Sequence, residues 1–335
     1  MKNPSSWNNS QPRVVVIGGG TGLSTMLRGL KNQTRNLTAI VTVADDGGGS
    51  GVLRDELGMP PPGDIRNCLQ ALANTEQTMA DLLAYRFPEG RLKGQSFGNL
   101  FLAALNGMSR SFDEAVAKMS EVLAITGRVL PVTNEDVRLI AEFDDGGVVP
   151  GESHIADYKR GRECNIRRIR MEPELPEALP ESLEAIRQAE MVVLGPGSLY
   201  TSVIPNLLVK GIAQAVAESD AMRVYVLNVM TQDGETEGYT ASDHVRALQA
   251  HGSRRLFDFC LANDAPIPAD IRAKYAAEGA CPTVLDIQEV ERLGVRLLTA
   301  PVADCSSGRV RHDPQRLARE LIALYREKSP TRIYG

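Results

Sequence analysis

The sequence contains few of the residues that most often bind zinc or form disulfide bonds. It has four histidines and five cysteines in 335 residues, and the cysteines lie far apart without a Cys-x-x-Cys pair. No two histidines have the spacing of metal ligands. Scattered cysteines of this kind argue against a disulfide framework or a zinc site and are typical of a reducing compartment. We therefore predict a cytoplasmic protein.

The sequence also lacks an excess of basic residues and any long apolar run. Its formal net charge of -5 provides no overall positive field for nucleic acid or for an anionic membrane. No apolar stretch approaches the ~20 residues that a membrane-spanning helix needs. Residues 1–12 are polar and have no apolar centre like that of a signal peptide, so we expect a disordered tail there. We predict neither a nucleic-acid partner nor a membrane partner.

Short apolar runs alternate with longer segments of helical period along most of the chain. This alternation is typical of a parallel sheet with crossover helices. Residues 131–180 differ, because short β-like runs and a charged, proline-rich stretch replace the alternation. We predict an α/β fold: one Rossmann-like domain over residues 13–330, with a mostly parallel sheet, helices on both faces and a small β-rich insert at about residues 131–180. Strands are predicted at residues 13–18, 38–43, 191–195, 222–228, 257–261 and 296–300, and one helix is predicted near 205–217.

Several catalytic and nucleotide-binding motifs are missing from the sequence. The first glycine loop does not fit Gly-x-Gly-x-x-Gly, and no Gly-Lys-Ser/Thr follows it, which excludes a P-loop. No Gly-x-Ser-x-Gly elbow and no Cys/His nucleophile pattern is present. The remaining candidate functional groups are backbone amides, arginines and aspartates, all of which act through electrostatic interactions. Such groups suit the binding of a phosphorylated or nucleotide-linked ligand, or group transfer at phosphorus.

The first glycine loop, GGGTGLS at residues 18–24, lies between the first strand and the first helix. Glycines let backbone N–H groups approach an anion closely, and a helix N-terminus adds a favourable dipole. We therefore predict ligand contacts from Gly19, Gly20, Thr21 and Gly22. The alternative is a tight strand-to-helix turn without a ligand.

The second loop, DDGGGSG, begins directly after the second strand. Adjacent residues of an extended chain point to opposite sides, so one of Asp45 and Asp46 can face a ligand while the other supports the loop. The inward carboxylate could hold Mg²⁺, bind a sugar hydroxyl or act as a base, and Gly48 would let the ligand lie close to the backbone. The alternative is a solvated acidic turn.

A third group of polar residues lies at the starts of two predicted helices. Arg66 and Asn67 follow the PPPGD segment, and Ser96 and Asn99 precede an apolar helix. Their donors could contact an anion or the edge of a base. For Arg66, a salt bridge to one of the many carboxylates is the alternative.

The second half of the chain repeats the glycine-then-helix pattern after its own strands. The candidates there are Gly195, Gly197 and Ser198 in GPGS, Asn228 and Thr231 in NVMT, and Arg311 before the last helix. In open α/β sheets, ligands bind at the carboxyl ends of the strands. We therefore expect all four groups of loops to meet in one crevice.

Several long motifs occur together and in order: GGGTGLSTMLRGLK, VTVADDGGGSGVLRDELGMPPPGDIRNCL, SFGNLFLAAL, GPGSLYTSVIPNLLV, NVMTQDGETEGYTASDHV and VRHDP. Together they resemble the gluconeogenesis factor branch of a family that also includes 2-phospho-L-lactate transferase. The resemblance extends from about residue 13 to the last helix.

The resemblance implies a Rossmann-like core and a cytoplasmic protein that binds a nucleotide sugar of the UDP-sugar class. It also implies a role in carbon metabolism, cell shape and envelope synthesis. Thr21 and Arg311 occupy the positions of nucleotide-sugar contacts. We expect a homodimer, the commonest assembly among soluble oligomers.

The alternative function is that of a Mg²⁺-dependent transferase, which moves a phosphorylated-acid group from a nucleotide-diphosphate donor. Asp45 and Asp46 would then hold the metal, with Asp46 as the catalytic residue. The form of the loops, DDGGGSG followed by PPGDIRN, departs from the transferase branch. A third reading, an NAD-dependent oxidoreductase, is disfavoured because the dinucleotide fingerprint is absent.

Overall fold

A computed structural model describes residues 11–328. The first ten residues of the predicted tail, and residues 329–330 of the predicted domain, lie outside this range. Gln11 and Pro12 are held by the loop that precedes the second strand. The Gln11 side chain accepts a hydrogen bond from Arg35 N–H (2.9 Å), and the Pro12 carbonyl accepts one from the Thr34 hydroxyl (3.0 Å).

Strands and helices occur along the whole described part of the chain. The strands are β1 (Val14–Gly18), β2 (Leu37–Val41), β3 (Arg128–Pro131), β4 (Arg138–Phe143), β5 (Val148–Pro150), β6 (Ile166–Glu172), β7 (Met191–Leu194), β8 (Met222–Val226), β9 (Phe259–Asn263), β10 (Arg296–Ala300), β11 (Ala303–Asp304) and β12 (Arg311–His312). The helices are α1 (Gly20–Leu30), α2 (Gly48–Leu57), α3 (Gly63–Leu72), α4 (Gln77–Ala84), α5 (Phe97–Gly107), α6 (Phe112–Val122), α7 (Glu152–Lys159), α8 (Pro180–Gln188), α9 (Ile204–Leu208), α10 (Ile212–Glu218), α11 (Ala241–His251), α12 (Ala269–Ala277), α13 (Ile287–Arg292) and α14 (Pro314–Lys328). No helix in the described range is long and apolar enough to cross a membrane.

Seven strands form the central sheet, in the order β10-β9-β8-β7-β1-β2-β3. All neighbouring strands in it are parallel. Every residue of β1, VVVIG, is buried, as expected for a strand in the middle of a sheet that helices cover on both faces. The predicted α/β fold with a mostly parallel sheet is therefore confirmed.

A second, antiparallel sheet in the order β5-β4-β6 lies within the predicted insert. Its tight connection at residues 144–147 is the DDGG turn between β4 and β5. Leu139, Phe143 and Ile169 are buried in the same hydrophobic cluster as the central sheet. The insert is thus packed onto the main core by one apolar face.

Several predicted elements differ from the structure. The second strand ends at Val41, not at residue 43. The strand predicted at residues 222–228 ends at Val226, and the strand predicted at 257–261 spans Phe259–Asn263. The helix predicted near residues 205–217 is divided into a π-helical turn (Leu199–Val203), α9 and α10. Gly211, which separates α9 from α10, has a left-handed φ of 83°. A residue in this conformation cannot continue a helix, and hydrophobic period does not reveal it.

Candidate functional site

The central sheet changes direction between β1 and β7. From β1 the chain continues to β2 and β3 on one side, whereas β7 is followed by β8, β9 and β10 on the other. The loops after β1 and β7 therefore leave in opposite directions and open a crevice between them. Such a topological switch point is where ligands bind in open α/β sheets.

A cavity of about 730 Å³ lies at this position, and we call it the switch-point cavity. Its volume falls in the range of about 300–1,000 Å³ that is typical of small-molecule sites. Its walls come from residues 20–22 and 25, 196–198 and 202, 228–233, 275, 278 and 280, 309–312, and Arg160 of the insert.

The N-terminus of α1 forms one wall of the switch-point cavity. The helix begins at Gly20, and Gly19 in the cap position has no side chain that could cover the first amides. A helix N-terminus carries a partial positive charge and unpaired N–H groups, which together favour an anion. The hydroxyl-bearing residues Thr21 and Ser198 lie on the walls beside these amides.

The two glycine loops touch each other directly. A β carbon built on Gly22 would lie 2.7 Å from the carbonyl oxygen of Pro196 and 3.2 Å from the backbone nitrogen of Gly197. Carbon atoms do not approach backbone atoms this closely without displacement, so only glycine fits at position 22.

Asn228 fixes the second glycine loop from the side of β8. Its Oδ1 accepts a hydrogen bond from Gly197 N–H (3.3 Å), and its Nδ2 donates one to the Gly197 carbonyl (2.7 Å). The Asn228 carbonyl in turn accepts a hydrogen bond from the Thr283 hydroxyl (2.8 Å). Asn228 therefore positions the loop, in addition to lining the cavity.

Charged residues of both signs lie around the cavity. Arg160, Arg309 and Arg311 supply positive charge, while Asp233 and Glu278 supply negative charge. The Tyr275 hydroxyl accepts a hydrogen bond from Val310 N–H (3.0 Å) and thereby holds the segment that carries Arg309 and Arg311. The wall formed by residues 309–312 thus presents two guanidinium-bearing residues from a fixed backbone.

Eight of the residues predicted from sequence line the switch-point cavity. They are Gly20, Thr21, Gly22, Gly197, Ser198, Asn228, Thr231 and Arg311. They come from segments up to 291 residues apart in the sequence, from Gly20 to Arg311, and the parallel topology brings them together. Gly19 and Gly195 do not line the cavity, and each directly precedes a residue that does, Gly20 and Pro196.

The predicted group Arg66, Asn67, Ser96 and Asn99 does not line the cavity. Arg66 Nε donates a hydrogen bond to Asn99 Oδ1 (3.2 Å), and its Nη1 donates one to Gln70 Oε1 (2.8 Å). Ser96 caps α5 by accepting the Asn99 N–H (3.2 Å). Asn67 is half-buried on α3. The contact between Arg66 and Asn99 joins α3 to α5, which gives Arg66, Ser96 and Asn99 a role in packing.

The two acids of the second loop point to different partners. Asp45 Oδ1 accepts the Gly47 N–H (2.9 Å), and burial raises the pKa of Asp45. Asp46 Oδ1 accepts the N–H of Ser153 (2.8 Å) and so caps α7 of the insert. Gly48 begins α2 with a φ of 50°, and a β carbon there would meet no described atom within 4 Å. Neither acid lines the switch-point cavity.

A comparison with protein-family models matches residues 14–303 to the family of 2-phospho-L-lactate transferase CofD. The chain belongs to this family.

Relatives of the CofD-family chain agree along almost its whole length. The gluconeogenesis factor of Bacillus subtilis is 46% identical over 318 residues, which cover 95% of this chain and 99% of that protein. A protein of Thermoanaerobacterium thermosulfurigenes is 54% identical over 324 residues, covering 97% of this chain and 99% of that protein. A crystal structure of a protein from Bacillus halodurans has a TM-score of 0.90 at 45% identity, covering 93% of this chain and 99% of that chain. The resemblance inferred from the motifs is confirmed.

The CofD-family chain carries a group of acids next to the first glycine loop. A β carbon built on Gly19 would lie 2.5 Å from Asp64 Oδ2, and the Asp64 carboxylate accepts the Gly20 N–H. Burial raises the pKa of Asp64 to about 6, and the Asp45 carboxylate adds to the shift. Burial also raises the pKa of Glu152 on the insert, with contributions from Asp45 and Asp64. Asp45 after β2, Asp64 on α3 and Glu152 on α7 therefore form one electrostatically coupled group.

Sequence reasoning missed three functional candidates: Asp64, Arg160 and Tyr275. Arg160 lies in the charged, proline-rich stretch within residues 131–180. An acid in the first turn of a helix next to two glycine loops was a usable signal for Asp64. The sequence carried no comparable signal for Arg160 or Tyr275.

A buried carboxylate, Glu235, lies under the loop that follows β8. It is 2% exposed and accepts hydrogen bonds from the Thr201 hydroxyl (2.8 Å) and Tyr200 N–H (3.3 Å). Burial raises the pKa of Glu235 to about 7, although these hydrogen bonds and Lys159 act in the opposite direction. Lys159 of the insert donates a hydrogen bond to the Glu235 carbonyl (3.1 Å) and pairs with Glu237.

This pKa predicts that ionisation of Glu235 lowers the stability of the protein as the pH rises from 5 to 7. In that range the folded state retains a proton on Glu235 that the unfolded state has already lost, so this residue makes the free energy of unfolding fall with pH. A shift from 4.5 to about 7 corresponds to a loss of about 3 kcal/mol, and Asp64 adds a smaller loss of the same sign. Burial lowers the pKa of His312 to about 4, which acts in the opposite direction. The free energy of unfolding of the wild type minus that of Glu235→Gln, measured with denaturant, should therefore fall across this range.

Glu291→Gln, at an exposed position of α13, is the matched control and should keep the wild-type slope. An unchanged slope in Glu235→Gln would show that Glu235 is ionised in the folded protein throughout the range.

Proposed function

We propose that the protein binds a nucleotide sugar of the UDP-sugar class in the switch-point cavity and acts as a cytoplasmic regulator of carbon metabolism, cell shape and envelope synthesis. The proposal rests on the family and on the chemistry of the cavity. Two relatives, which match 95% and 84% of the chain, carry the name gluconeogenesis factor.

One observation supports the ligand class most directly. The N-terminus of α1, whose cap residue Gly19 has no side chain, and the GPGS loop meet across Gly22, and Thr21 and Ser198 lie beside them. A diphosphate is bound by several hydrogen-bond donors that approach it closely. This junction supplies backbone amides, two hydroxyl groups and the positive end of a helix dipole. The cavity extends from there towards Arg309, Arg311 and Tyr275, where there is room for the groups on either side of a diphosphate.

Calorimetry with UDP-N-acetylglucosamine, UDP-glucose, GDP and NAD tests the proposal. We expect one or both UDP-sugars to bind more tightly than GDP and NAD. Thr21→Val should weaken this binding by about tenfold, since a hydrogen bond to a charged phosphate contributes about 1.5–3 kcal/mol. Thr38→Val is the control, because Thr38 lies at the opposite, amino end of the sheet in β2. Absence of binding by both UDP-sugars would remove the proposal.

Mg²⁺, which the transferase branch uses, would fit two carboxylates of this chain. Within residues 11–328, no three His, Cys, Asp or Glu side chains are grouped so that they could hold a metal. Mg²⁺ is often held by only one or two carboxylates, with water and ligand phosphates completing its coordination. We propose Asp45 and Asp64 for this role, because the two carboxylates are electrostatically coupled and Asp64 touches the loop that carries Gly20. When bound there, the ion would offset the negative charge of the two carboxylates beside the first glycine loop.

The transferase alternative is tested by incubating the protein with nucleotide-diphosphate donors, acceptors and Mg²⁺, followed by mass spectrometry of the products. Asp46 holds the insert in this structure, so a loss of turnover in Asp46→Asn would report on that contact as well as on chemistry. Asp64→Asn is the more direct variant. The homodimer and the cytoplasmic location stay predictions.

A further inference from the structure

The insert contributes a charged side chain to the switch-point cavity. Arg160 follows the last residue of α7 and lines the cavity together with Thr21, Gly22 and Asp233. Its Nε donates a hydrogen bond to Asp233 Oδ2 (3.0 Å), and its Nη1 donates one to Asp157 (2.7 Å). Arg160 is the one residue of the cavity wall that comes from residues 131–180.

The backbone that carries Arg160 is fixed at both ends of α7. At the start of the helix, Asp46 accepts the Ser153 N–H (2.8 Å). At its end, the 5% exposed Lys159 donates to the Glu235 carbonyl (3.1 Å). In between, a β carbon on Gly234 would lie 2.5 Å from the Ala156 β carbon, so the helix lies directly on the loop after β8. The insert therefore holds the Arg160 backbone in one place beside the cavity.

The guanidinium of Arg160, in contrast, is held only weakly. Its side chain is 57% exposed, and its partners Asp233 and Asp157 are 39% and 69% exposed. Exposed ion pairs of this kind contribute little to stability, because water screens them and the long side chains lose entropy. A phosphate offers more charge than one carboxylate and accepts two parallel hydrogen bonds from a guanidinium.

We propose that Arg160 binds an anionic oxygen of the phosphorylated ligand and releases Asp233 when it does so. This inference rests on the proposed function, since it assigns a further binding residue to the same cavity. Asp233 then competes with the ligand for Arg160 and selects for ligands whose charge exceeds that of a carboxylate. The insert thus contributes a phosphate-binding residue, Arg160, to the ligand site in the switch-point cavity.

Binding of UDP-N-acetylglucosamine and of uridine to matched variants tests this role. Arg160→Gln should weaken binding of the nucleotide sugar by about tenfold or more. The same variant should leave binding of uridine, which has no phosphate, within about twofold of the wild type. The affinity of Arg160→Lys for the nucleotide sugar should fall between those of the wild type and Arg160→Gln, because an ammonium group keeps the charge and loses the bidentate geometry.

Asp233→Asn should change the affinity for the nucleotide sugar in the opposite direction. Removal of the competing carboxylate should tighten binding of the nucleotide sugar several-fold, and this gain should shrink when Arg160 is already Gln, because the two residues are coupled. Arg162→Gln is the matched control, since Arg162 lies two residues away over the Tyr158 ring (4.3 Å) and does not line the cavity.

Any one of three results with the nucleotide sugar alone would overturn the inference: binding by Arg160→Gln within twofold of the wild type, an equal loss in Arg162→Gln, or weaker binding by Asp233→Asn. An equal loss for uridine and for the nucleotide sugar would also overturn it, because Arg160 would then only shape the cavity. Failure of the proposed function is distinguishable, since the wild-type protein would then bind neither UDP-sugar before any variant is compared.

Discussion

Replacing Gly29 by alanine is expected to lower the free energy of unfolding by about 3 kcal/mol. Gly29 is buried where α1 packs against the start of α14. A β carbon there would lie 1.7 Å from the Pro314 carbonyl oxygen and 3.0 Å from the Ala318 β carbon. A backbone atom cannot rotate away as a side chain can, so the two helices must move apart. Thermal or denaturant unfolding measures the loss.

Gly107→Ala is the matched control for this substitution. Gly107 is the last residue of α5, and no described atom lies within 4 Å of a β carbon built there. Alanine is favoured over glycine in helices by about 1 kcal/mol, so this variant should be as stable as the wild type or slightly more stable. Gly29→Ala receives the same helix-propensity gain, which makes its expected loss a lower bound on the steric effect. Equal stability of the two variants would contradict the tight contact between α1 and α14.

Gly22→Ala is expected to abolish binding of UDP-sugars, with a reduction in affinity of at least about a hundredfold. The added methyl group would lie 2.7 Å from the Pro196 carbonyl and would push the GPGS loop away from α1. Phosphate binding at this junction depends on amides from both loops, and a displacement of about 1 Å is enough to break several hydrogen bonds at once. Calorimetry on the purified variant measures the effect.

A loss of binding in Gly22→Ala is informative only if the variant protein is folded. We expect a loss of stability of about 1–3 kcal/mol, which still leaves the protein folded at low temperature. Circular dichroism and a melting curve establish this before binding is measured, and Gly107→Ala again provides a glycine-to-alanine change outside the cavity. Retained affinity in a folded Gly22→Ala variant would show that the ligand does not lie at the junction of the two loops.

The sequence predicted the central sheet because its strands carry a strong local signal. Strands such as VVVIG are apolar on both faces, and only a sheet covered by helices on both sides buries such a run. The glycine loops were predicted for a similar reason, since a glycine run between a strand and a helix has few structural uses. Helix interruptions such as the one at Gly211 were missed, because a single left-handed residue leaves the hydrophobic period almost unchanged.

What the sequence by itself determined is therefore the fold class, the family and the residues at the junction of the two glycine loops, because each depends on local composition or on a motif. Only the tertiary structure decided which side chains share the cavity. Arg66 turns to Asn99 and Gln70, Asp46 reaches 107 residues along the chain to Ser153, and Arg160 arrives from the insert. Side-chain direction depends on contacts between segments that are distant in sequence, and those contacts exist only once the core has packed.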